Sequence, residues 1–446
     1  MTIKHEDQIE RELKSFTNQP LPEKLDQQIY EGFANGRRYK NRWDVFKHTG
    51  LSVAALFLFF VLSVNYIPGF QKVAGDIPGI KKLVEMVTYD KGLQDAIENE
   101  YIQVIDKANE NEGMTITIDN IIVDKRRLII FTTLESTKDY QEVGFKSIQL
   151  QDKNGVTIGN HLLSVGTYQL ENNKGSLMID FAWNEDQDFT NELTLNVEVG
   201  EYNFESKEES ERIKGAVPLS VKFPVDLEKI QLSEELIINQ SVEVEGQVIH
   251  FEKLVSYPTR QVLYLSYDEK NTKDILQLVD LRLENEKGEV ISREAGASIN
   301  GNHRTISLTG SYFQNHKELN IVFSKVMALD KDKTSVVVDL EKSTLLEAPD
   351  QQLTLRDVTK TNMFGLENTL AINFNITPGI DGNNHFSLSG SFTDATGKIF
   401  HSGQQSSSSG EYSIYIEDQE YKSPLTFEVN YYPVYIEEEV RVRVKE

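Results

Sequence analysis

Positions 48–67 form a window without charged residues, and this window limits the folds that the chain can adopt. Its centre, Leu51–Val64, reads LSVAALFLFFVLSV, and its only polar side-chain atoms are serine hydroxyls. As a helix, Gly50–Ile67 would span roughly 27 Å at about 1.5 Å per residue, close to the ~30 Å hydrocarbon core of a bilayer. Trp43 and Tyr66 lie near the two ends, where amphipathic rings favour the membrane interface. We therefore predict one transmembrane helix at residues 48–67.

Two other interpretations of this window stay open at this point. It would also fit a buried helix of a soluble protein, although the aromatic and branched run Leu56–Phe60 would then need apolar neighbours on every side. A cleaved signal peptide is the second alternative. The preceding region is long for a signal peptide, it has helix patterns of its own, and no A-x-A-like site follows the window.

The distribution of charge predicts the orientation of the span. Residues 1–47 carry nine Lys/Arg and eight Asp/Glu, whereas residues 68–446 carry 37 Lys/Arg against 62 Asp/Glu, a net charge of −25. The basic residues just before the span are Arg37, Arg38, Lys40, Arg42 and Lys47, and only Lys72 lies in the first dozen residues after it. The positive-inside rule then places the N-terminus in the cytoplasm and residues 68–446 outside a cell membrane. The acidic outer part argues against binding of nucleic acid, because phosphates would be repelled.

The predicted cytoplasmic head, residues 1–47, contains two short helical stripes separated by Pro20 and Pro22. Isolated helices this short are marginal in water, and three apolar anchors each bury little surface. The head is therefore either a solvated tail that supplies only the topology signal, or a motif whose stripes bind in the groove of a partner. We favour the second and predict these partner-binding residues: Ile9, Leu13, Phe16, Leu25, Ile29 and Phe33.

A connector and a helix are predicted between the span and the outer body, at residues 68–111. Pro68–Pro78 has the composition of a loop, and Ile80–Asn109 carries a broad apolar stripe at helical spacing. Beyond Gly113 the hydrophobic period changes to the alternation of β-strands.

The outer body contains one pattern of strands three times. The paired opening strands are Ile116–Ile121 with Leu128–Phe131, Val248–Leu254 with Val262–Leu265, and Leu353–Val358 with Leu370–Phe374. Each unit continues with a strand, an acidic turn and a glycine (Gly155, Gly288 and Gly397), where glycine would supply the positive φ of a hairpin. The late strands begin at Leu193, Leu319 and Leu425, and the closing strands are Val217–Phe223, Val336–Leu340 and Val440–Val444.

We interpret this repeat as three tandem immunoglobulin-like β-sandwiches of about seven strands each. Their predicted bounds are residues 112–229, 235–343 and 350–446. The expected fold class is therefore mainly β, with a short helical head, one transmembrane helix and one juxtamembrane helix before the sandwiches. A chance resemblance between all-β segments is the alternative to a true repeat.

The residue types needed for common chemistries are missing or scattered. The chain has no cysteine, which excludes disulfides, thiolate metal sites and cysteine nucleophiles. Its eight histidines show no HExxH spacing, and neither a G-x-S-x-G elbow nor a P-loop is present. Acidic pairs such as Asp119 and Asp124 are expected on solvated edges or turns. We therefore predict no enzyme, cofactor, metal or small-molecule substrate; calcium is left open at the turn carboxylates Asp152, Asp330, Asp332 and Asp394.

Several segments together resemble a known family. They are ELKSF (Glu12–Phe16), LPEKLDQQIYEGFANGRRYKNRW (Leu21–Trp43), the span ending VNYIPG, IPGIKKLVE and KGLQDAIENEYIQ within Ile77–Gln103, and MTITIDNIIVDKRRLIIF (Met114–Phe131). They are similar to a family of single-pass membrane proteins of unknown function from Bacillus-like Gram-positive bacteria, which are often labelled anti-sigma factors, that is, negative effectors of extracytoplasmic-function sigma factors. The resemblance covers about residues 9–230, and residues 230–345 resemble a second domain of unknown function that commonly follows.

This resemblance implies that the head holds a cytoplasmic sigma factor while the outer domains sense an envelope signal. The head lacks the His/Cys zinc motif of many anti-sigma factors, so its helices alone would bind the sigma factor. A lone span transmits a shift poorly, so release is expected to follow cleavage by a site protease in Pro68–Lys82. The alternative function is a membrane-anchored extracellular binding or adhesion module with an inert cytoplasmic tail.

Overall fold

The computed structural model describes residues 86–87, 90–159, 162–203, 212–230, 233–310, 313, 316–361, 368–377, 386–408 and 410–445. These residues belong to one compact unit, Gly79–Glu446. Of the described residues, 64% are in strands, so the mainly β prediction is confirmed. No helix among them is long and apolar enough to cross a bilayer. The predicted head, span and connector, residues 1–82, lie outside the described part of the chain.

The single described α-helix, α1, spans Lys91–Glu98. It begins there because the carboxylate of Asp90 accepts a hydrogen bond from the N–H of Leu93 at 3.0 Å, which satisfies a free donor of the first turn. Five residues after α1, strand β1 begins and spans Gln103–Asn111. The helix predicted over Ile80–Asn109 is therefore wrong at its C-terminal end, and β1 belongs to the first sandwich. A bulge between Val104 and Lys107 breaks the alternation of β1, which hid the strand in the sequence.

The first sandwich joins two sheets around one apolar core. Its further strands are β2 (Met114–Val123), β3 (Arg127–Ser136), β4 (Glu142–Asp152), β5 (Leu162–Ser164), β6 (Tyr168–Gln169), β7 (Lys174–Ala182), β8 (Glu192–Tyr202) and β9 (Ile213–Pro224). One sheet has the order β1-β2-β3-β7-β5 and the other β6-β4-β8-β9. A 3₁₀ helix at Leu227–Lys229 leads to the second sandwich.

Two further sandwiches follow. The strands up to residue 330 are β10 (Glu234–Val244), β11 (Gln247–Ser256), β12 (Gln261–Tyr267), β13 (Lys273–Val279), β14 (Arg282–Asn285), β15 (Val290–Asn300), β16 (His303–Leu308), β17 (Leu319–Phe323) and β18 (Lys325–Asp330). The remaining strands are β19 (Ser335–Asp339), β20 (Thr344–Glu347), β21 (Leu353–Thr361), β22 (Thr369–Ile376), β23 (Ser387–Thr393), β24 (Ile399–His401), β25 (Gln404–Ser408), β26 (Glu411–Glu417), β27 (Leu425–Tyr431), β28 (Tyr435–Ile436) and β29 (Val440–Lys445).

The repeat is visible in the pairing of the strands. The opening pairs β2–β3, β11–β12 and β21–β22 are antiparallel hairpins, and each has a register shift at the equivalent place, after Ile118, Phe251 and Leu355. The late strands also pair alike, as β4–β8, β14–β17 and β23–β27. The turn glycines Gly155, Gly288 and Gly397 have φ of 78°, 75° and 80°, the left-handed conformation expected for them.

The closing strands of the second and third sandwiches are exchanged relative to the prediction. β29, at the end of the chain, pairs with β17 of the second sandwich, whereas β19 pairs with β27 of the third. The side chains of Val442 and Val444 join the second core, and those of Val336 and Val338 join the third. Assigning β19 to residues 235–343 and β29 to residues 350–446 was therefore wrong. Both strands are short and rich in valine, SVVVD in β19 and VRVRVK in β29, and neither pattern indicates which sandwich the strand joins.

As a consequence, the third sandwich is inserted between β18 and β28 of the second. The sheets of the second are β10-β11-β12-β16-β15-β14-β17-β29 and β13-β18-β28, and those of the third are β20-β19-β27-β23-β24 and β21-β22-β26-β25. Two ion pairs also hold β29 in the second sandwich. Arg441 pairs with Glu284, and Arg443 pairs with Glu318 at 2.7 Å. Burial raises the pKa of Glu284, but Arg441 and Arg282 outweigh burial and bring that pKa below its usual value.

This exchange predicts which core each closing strand stabilises. Val442 is 3% exposed and Val338 is 0% exposed, so Val442→Ala and Val338→Ala should each destabilise one sandwich by about 2 kcal/mol. Hydrogen exchange read by mass spectrometry should become faster in β17 for Val442→Ala and in β27 for Val338→Ala. The opposite pattern would support the boundaries predicted from the sequence.

Candidate functional site at the junction of the first two sandwiches

Two equivalent hairpin turns of the repeat meet between the first and second sandwiches. In the β2–β3 turn, the N–H of Asp124 donates to the carbonyl of Arg127 at 2.9 Å. In the β11–β12 turn, the N–H of Tyr257 donates to the carbonyl of Arg260 at 2.7 Å. We call these two turns, together with the first turn of α1, the junction.

A buried carboxylate connects the two turns directly. Asp124 is 0% exposed, and its Oδ2 accepts hydrogen bonds from the N–H of Thr259 at 3.0 Å and from the Thr259 hydroxyl at 2.7 Å. Its Oδ1 accepts from the N–H of Arg126 at 2.8 Å, which also holds its own turn in shape. A carboxylate without partners at this depth would be strongly unfavourable, so its bonds depend on contact between the sandwiches.

Arg126 makes a second link across the junction. Its Nε donates to Asp186 at 2.8 Å and to the Tyr257 hydroxyl at 3.1 Å, and its guanidinium carbon lies 5.4 Å from the centre of the Tyr257 ring. The Tyr257 hydroxyl in turn donates to Asp186 at 2.7 Å, and a second Arg126 nitrogen donates to Tyr264 at 2.5 Å. Burial and the charge of Asp186 raise the pKa of Tyr257 above its usual value, although Arg126 acts in the opposite direction.

Arg127 connects α1 to the first sandwich. It makes a two-pronged ion pair with Asp180 of β7, at 3.0 and 2.7 Å, and its third nitrogen lies 2.7 Å from Asp90, the cap of α1. Burial alone would lower the pKa of the Arg127 guanidinium, but Asp180 and Asp90 outweigh burial and raise it. One cation thus fixes the start of the helix to two strands of the sheet.

The residues predicted from the sequence as a binding site lie elsewhere. Ile9, Leu13, Phe16, Leu25, Ile29 and Phe33 are all outside the described residues. Three of the four turn carboxylates considered for calcium hold turns or ion pairs: Asp152 and Asp394 accept backbone N–H bonds, and Asp330 lies 2.6 Å from Lys273. In the part of the chain that the structure describes, no group of three or more acidic or histidine side chains is placed to hold a metal ion.

Sequence reasoning missed the junction. Asp124 was expected on a solvated edge or turn, and the structure shows it fully buried. The available signal was the unbroken apolar run Leu128–Phe131, since a strand buried on both faces loses its alternation. That run predicts a second covering layer over β3, and α1 provides it: Ile129 and Phe131 pack against Leu93 and Ala96.

Two family models match the chain. One is described as a domain of unknown function (DUF4179) and matches residues 41–136, and the other as a family of unknown function (DUF5643) and matches residues 233–348. The first match agrees with the expected resemblance to a family of unknown function. The first range includes α1 and the β2–β3 turn, and the second includes the β11–β12 turn.

Comparison with single proteins adds little. No curated protein matches this chain. Among solved structures, the crystal structure of the conserved domain protein from Bacillus anthracis is 18% identical, covers 55% of this chain and 84% of its own, and has a TM-score of 0.37.

The junction should contribute strongly to the stability of the first sandwich. Arg127→Ala leaves Asp180 and Asp90 without their cation, and breaking a buried pair in this way costs about 3–5 kcal/mol. Lys174→Ala is the matched control, since it breaks an ion pair with Glu135 whose side chains are 54% and 55% exposed, with an expected cost of less than about 1 kcal/mol.

The chain offers a clean readout for this comparison. It has two tryptophans, and Trp183 lies in the first sandwich, so a Trp43→Phe background leaves Trp183 as the only indole. Urea unfolding of the full chain followed by its fluorescence should show a much lower midpoint for Arg127→Ala than for Lys174→Ala. Equal midpoints would mean that the Arg127 contacts do not stabilise this sandwich.

Proposed function

We propose that the protein is a membrane-anchored regulator in which residues 1–47 bind a cytoplasmic sigma factor and the outer sandwiches sense an envelope signal. The predicted span and the basic residues before it support this topology. The resemblance to single-pass anti-sigma proteins supports the identity of the cytoplasmic partner. Ile9, Leu13, Phe16, Leu25, Ile29 and Phe33 are the proposed docking residues.

One structural observation supports the proposal most directly. The helix that follows the predicted connector, α1, contacts both the first sandwich, through Asp90 and Arg127, and the second, through Lys91, whose Nζ donates to the carbonyl of Ile291 at 3.2 Å. A change in how the two sandwiches meet would therefore act on the residues that lead back to the span. In this proposal release of the sigma factor follows cleavage within Pro68–Lys82 by a membrane-associated protease.

A membrane-anchored extracellular binding module is the second candidate, and one feature of the first sandwich favours it. Between β1 and β9 lies an open groove of about 480 Å³ whose lining is mostly amide and hydroxyl side chains, including Asn109, Asn111, Gln149, Asn196 and Ser220. Two glutamates, Glu110 and Glu198, also line the groove, so it suits a hydroxyl-rich ligand that carries no negative charge. This module would retain its function after the head is replaced by unrelated sequence.

The head decides between the two candidates. A peptide of residues 1–47 should retain a sigma factor from lysate of the source organism, and the same peptide with Ile29→Asp and Phe33→Asp should not, because a charge on the stripe prevents burial. In cells, the double variant of the full chain should raise transcription from promoters of that sigma factor at an unchanged membrane level of the protein. If neither peptide retains a sigma factor and transcription is unaltered, the regulator proposal is wrong.

A further inference from the structure

The first turn of α1 fits into a seat that both sandwiches build. A Cβ atom at Gly92 would overlap the carbonyl oxygen of Thr259, so the helix backbone packs directly on the β11–β12 turn. On the other side, Asp90 is paired with Arg127 at 2.7 Å. Neither sandwich alone supplies the complete set of contacts.

The apolar face of α1 depends on the same seat. Leu93 and Ala96 are 0% exposed, and they pack on Ile122 and Phe131 of the first sandwich. Phe313, which lies between β16 and β17 of the second sandwich, packs against the same cluster and has its ring centre 5.7 Å from that of Tyr101. A helix of eight residues is not stable alone in water, so α1 should lose its helical form when it leaves the seat.

The junction also contains a contribution that opposes its closure. Arg260 of the second sandwich lies near Arg127 of the first. Burial and this like charge lower the pKa of Arg260 and outweigh the opposite effect of Asp124, Asp180 and Asp90. The Nε of Arg260 is buried without a hydrogen-bond partner among the described residues. The bonds of Asp124 and Arg126 hold the junction closed, while the partly buried charge of Arg260 reduces the free energy gained on closure. A contact with a small net free energy of closure can open and close.

We infer that α1 is a latch: it remains docked only while the two turns are joined, and opening of the junction releases it. By linkage the effect is reciprocal, so a load that pulls α1 out also weakens the contact between the sandwiches. As a regulatory step the latch rests on the proposed function, because release of α1 affects signalling only if the residues before α1 connect to the span and the head. As a property of the outer body it stands independently.

The absence of cysteine from the chain allows a direct test. Ala96→Cys places one thiol on the buried face of α1, and its rate of maleimide labelling in the purified full-length protein in detergent measures how often α1 leaves its seat. Labelling should be slow in this reference. Asp124→Ala, which opens the junction, and Gly92→Ala, which blocks the seat, should each raise the rate at least about tenfold, equivalent to ~1.4 kcal/mol.

Two further variants make the test specific. Arg260→Met removes the opposing charge and should slow labelling below the reference rate. Lys174→Ala, in an exposed ion pair of the first sandwich, should leave the rate unchanged. Trp183 fluorescence should match the reference in every variant, which separates undocking of α1 from unfolding of the sandwich. If Asp124→Ala unfolds the sandwich, Thr259→Val repeats the test from the other side of the contact.

The possible outcomes test the latch inference separately from the proposed sigma-factor regulation. An unchanged rate in both Asp124→Ala and Thr259→Val, with a raised rate in Gly92→Ala, would show that α1 docks independently of the junction and would overturn the latch. Fast labelling of the reference, or an unchanged labelling rate in Gly92→Ala, would show that α1 is not docked on the β11–β12 turn. None of these results depends on a sigma factor, so the regulator proposal would still stand or fall on the head alone.

Discussion

The outer body depends on one interaction, the hydrogen bonds that the buried carboxylate of Asp124 accepts from Thr259. Desolvating a carboxylate is costly, and only fixed donors at short distance offset that cost. The N–H of Arg126 serves one carboxylate oxygen from within the first sandwich, but both donors to the other oxygen come from Thr259 of the neighbouring sandwich, so the buried charge is fully satisfied only when the two sandwiches meet. The position of α1 follows, since Thr259 also forms part of its seat.

The connection between the second and third sandwiches is of a different kind. The chain crosses between them twice, once after β18 and once before β28, and strands of the second sandwich contribute apolar side chains to the core of the third. Leu276 and Leu329 of the second sandwich pack against the core of the third. The N–H of Tyr432 contacts the sulfur of Met327 at 3.4 Å. These apolar contacts and the two crossings favour a rigid pair, so relative motion within the described residues should concentrate at the polar junction.

Much of the β architecture could be predicted from the sequence because it depends on local patterns. The alternating hairpins and the glycines that take positive φ, such as Gly155, are properties of a few neighbouring residues. The partner of a closing strand is not local, and Val338 and Val442 lie in short valine-rich strands that join different sandwiches. Asp124 shows the same limit, since a turn carboxylate looks solvated until its neighbouring sandwich is known. The partner-binding stripe of the head stays a prediction.

Whether Asp124 joins the two turns in solution can be measured at the amide of Thr259. This amide belongs to a hairpin turn that only the contact with the first sandwich and α1 buries, so in a separate second sandwich it would exchange with solvent at nearly the unprotected rate. Residue-resolved hydrogen exchange on the full-length protein should show it slowed by roughly a hundredfold or more, and Asp124→Ala should abolish that protection. Rapid exchange of the Thr259 amide in the unmodified protein would show that Asp124 does not join the two turns.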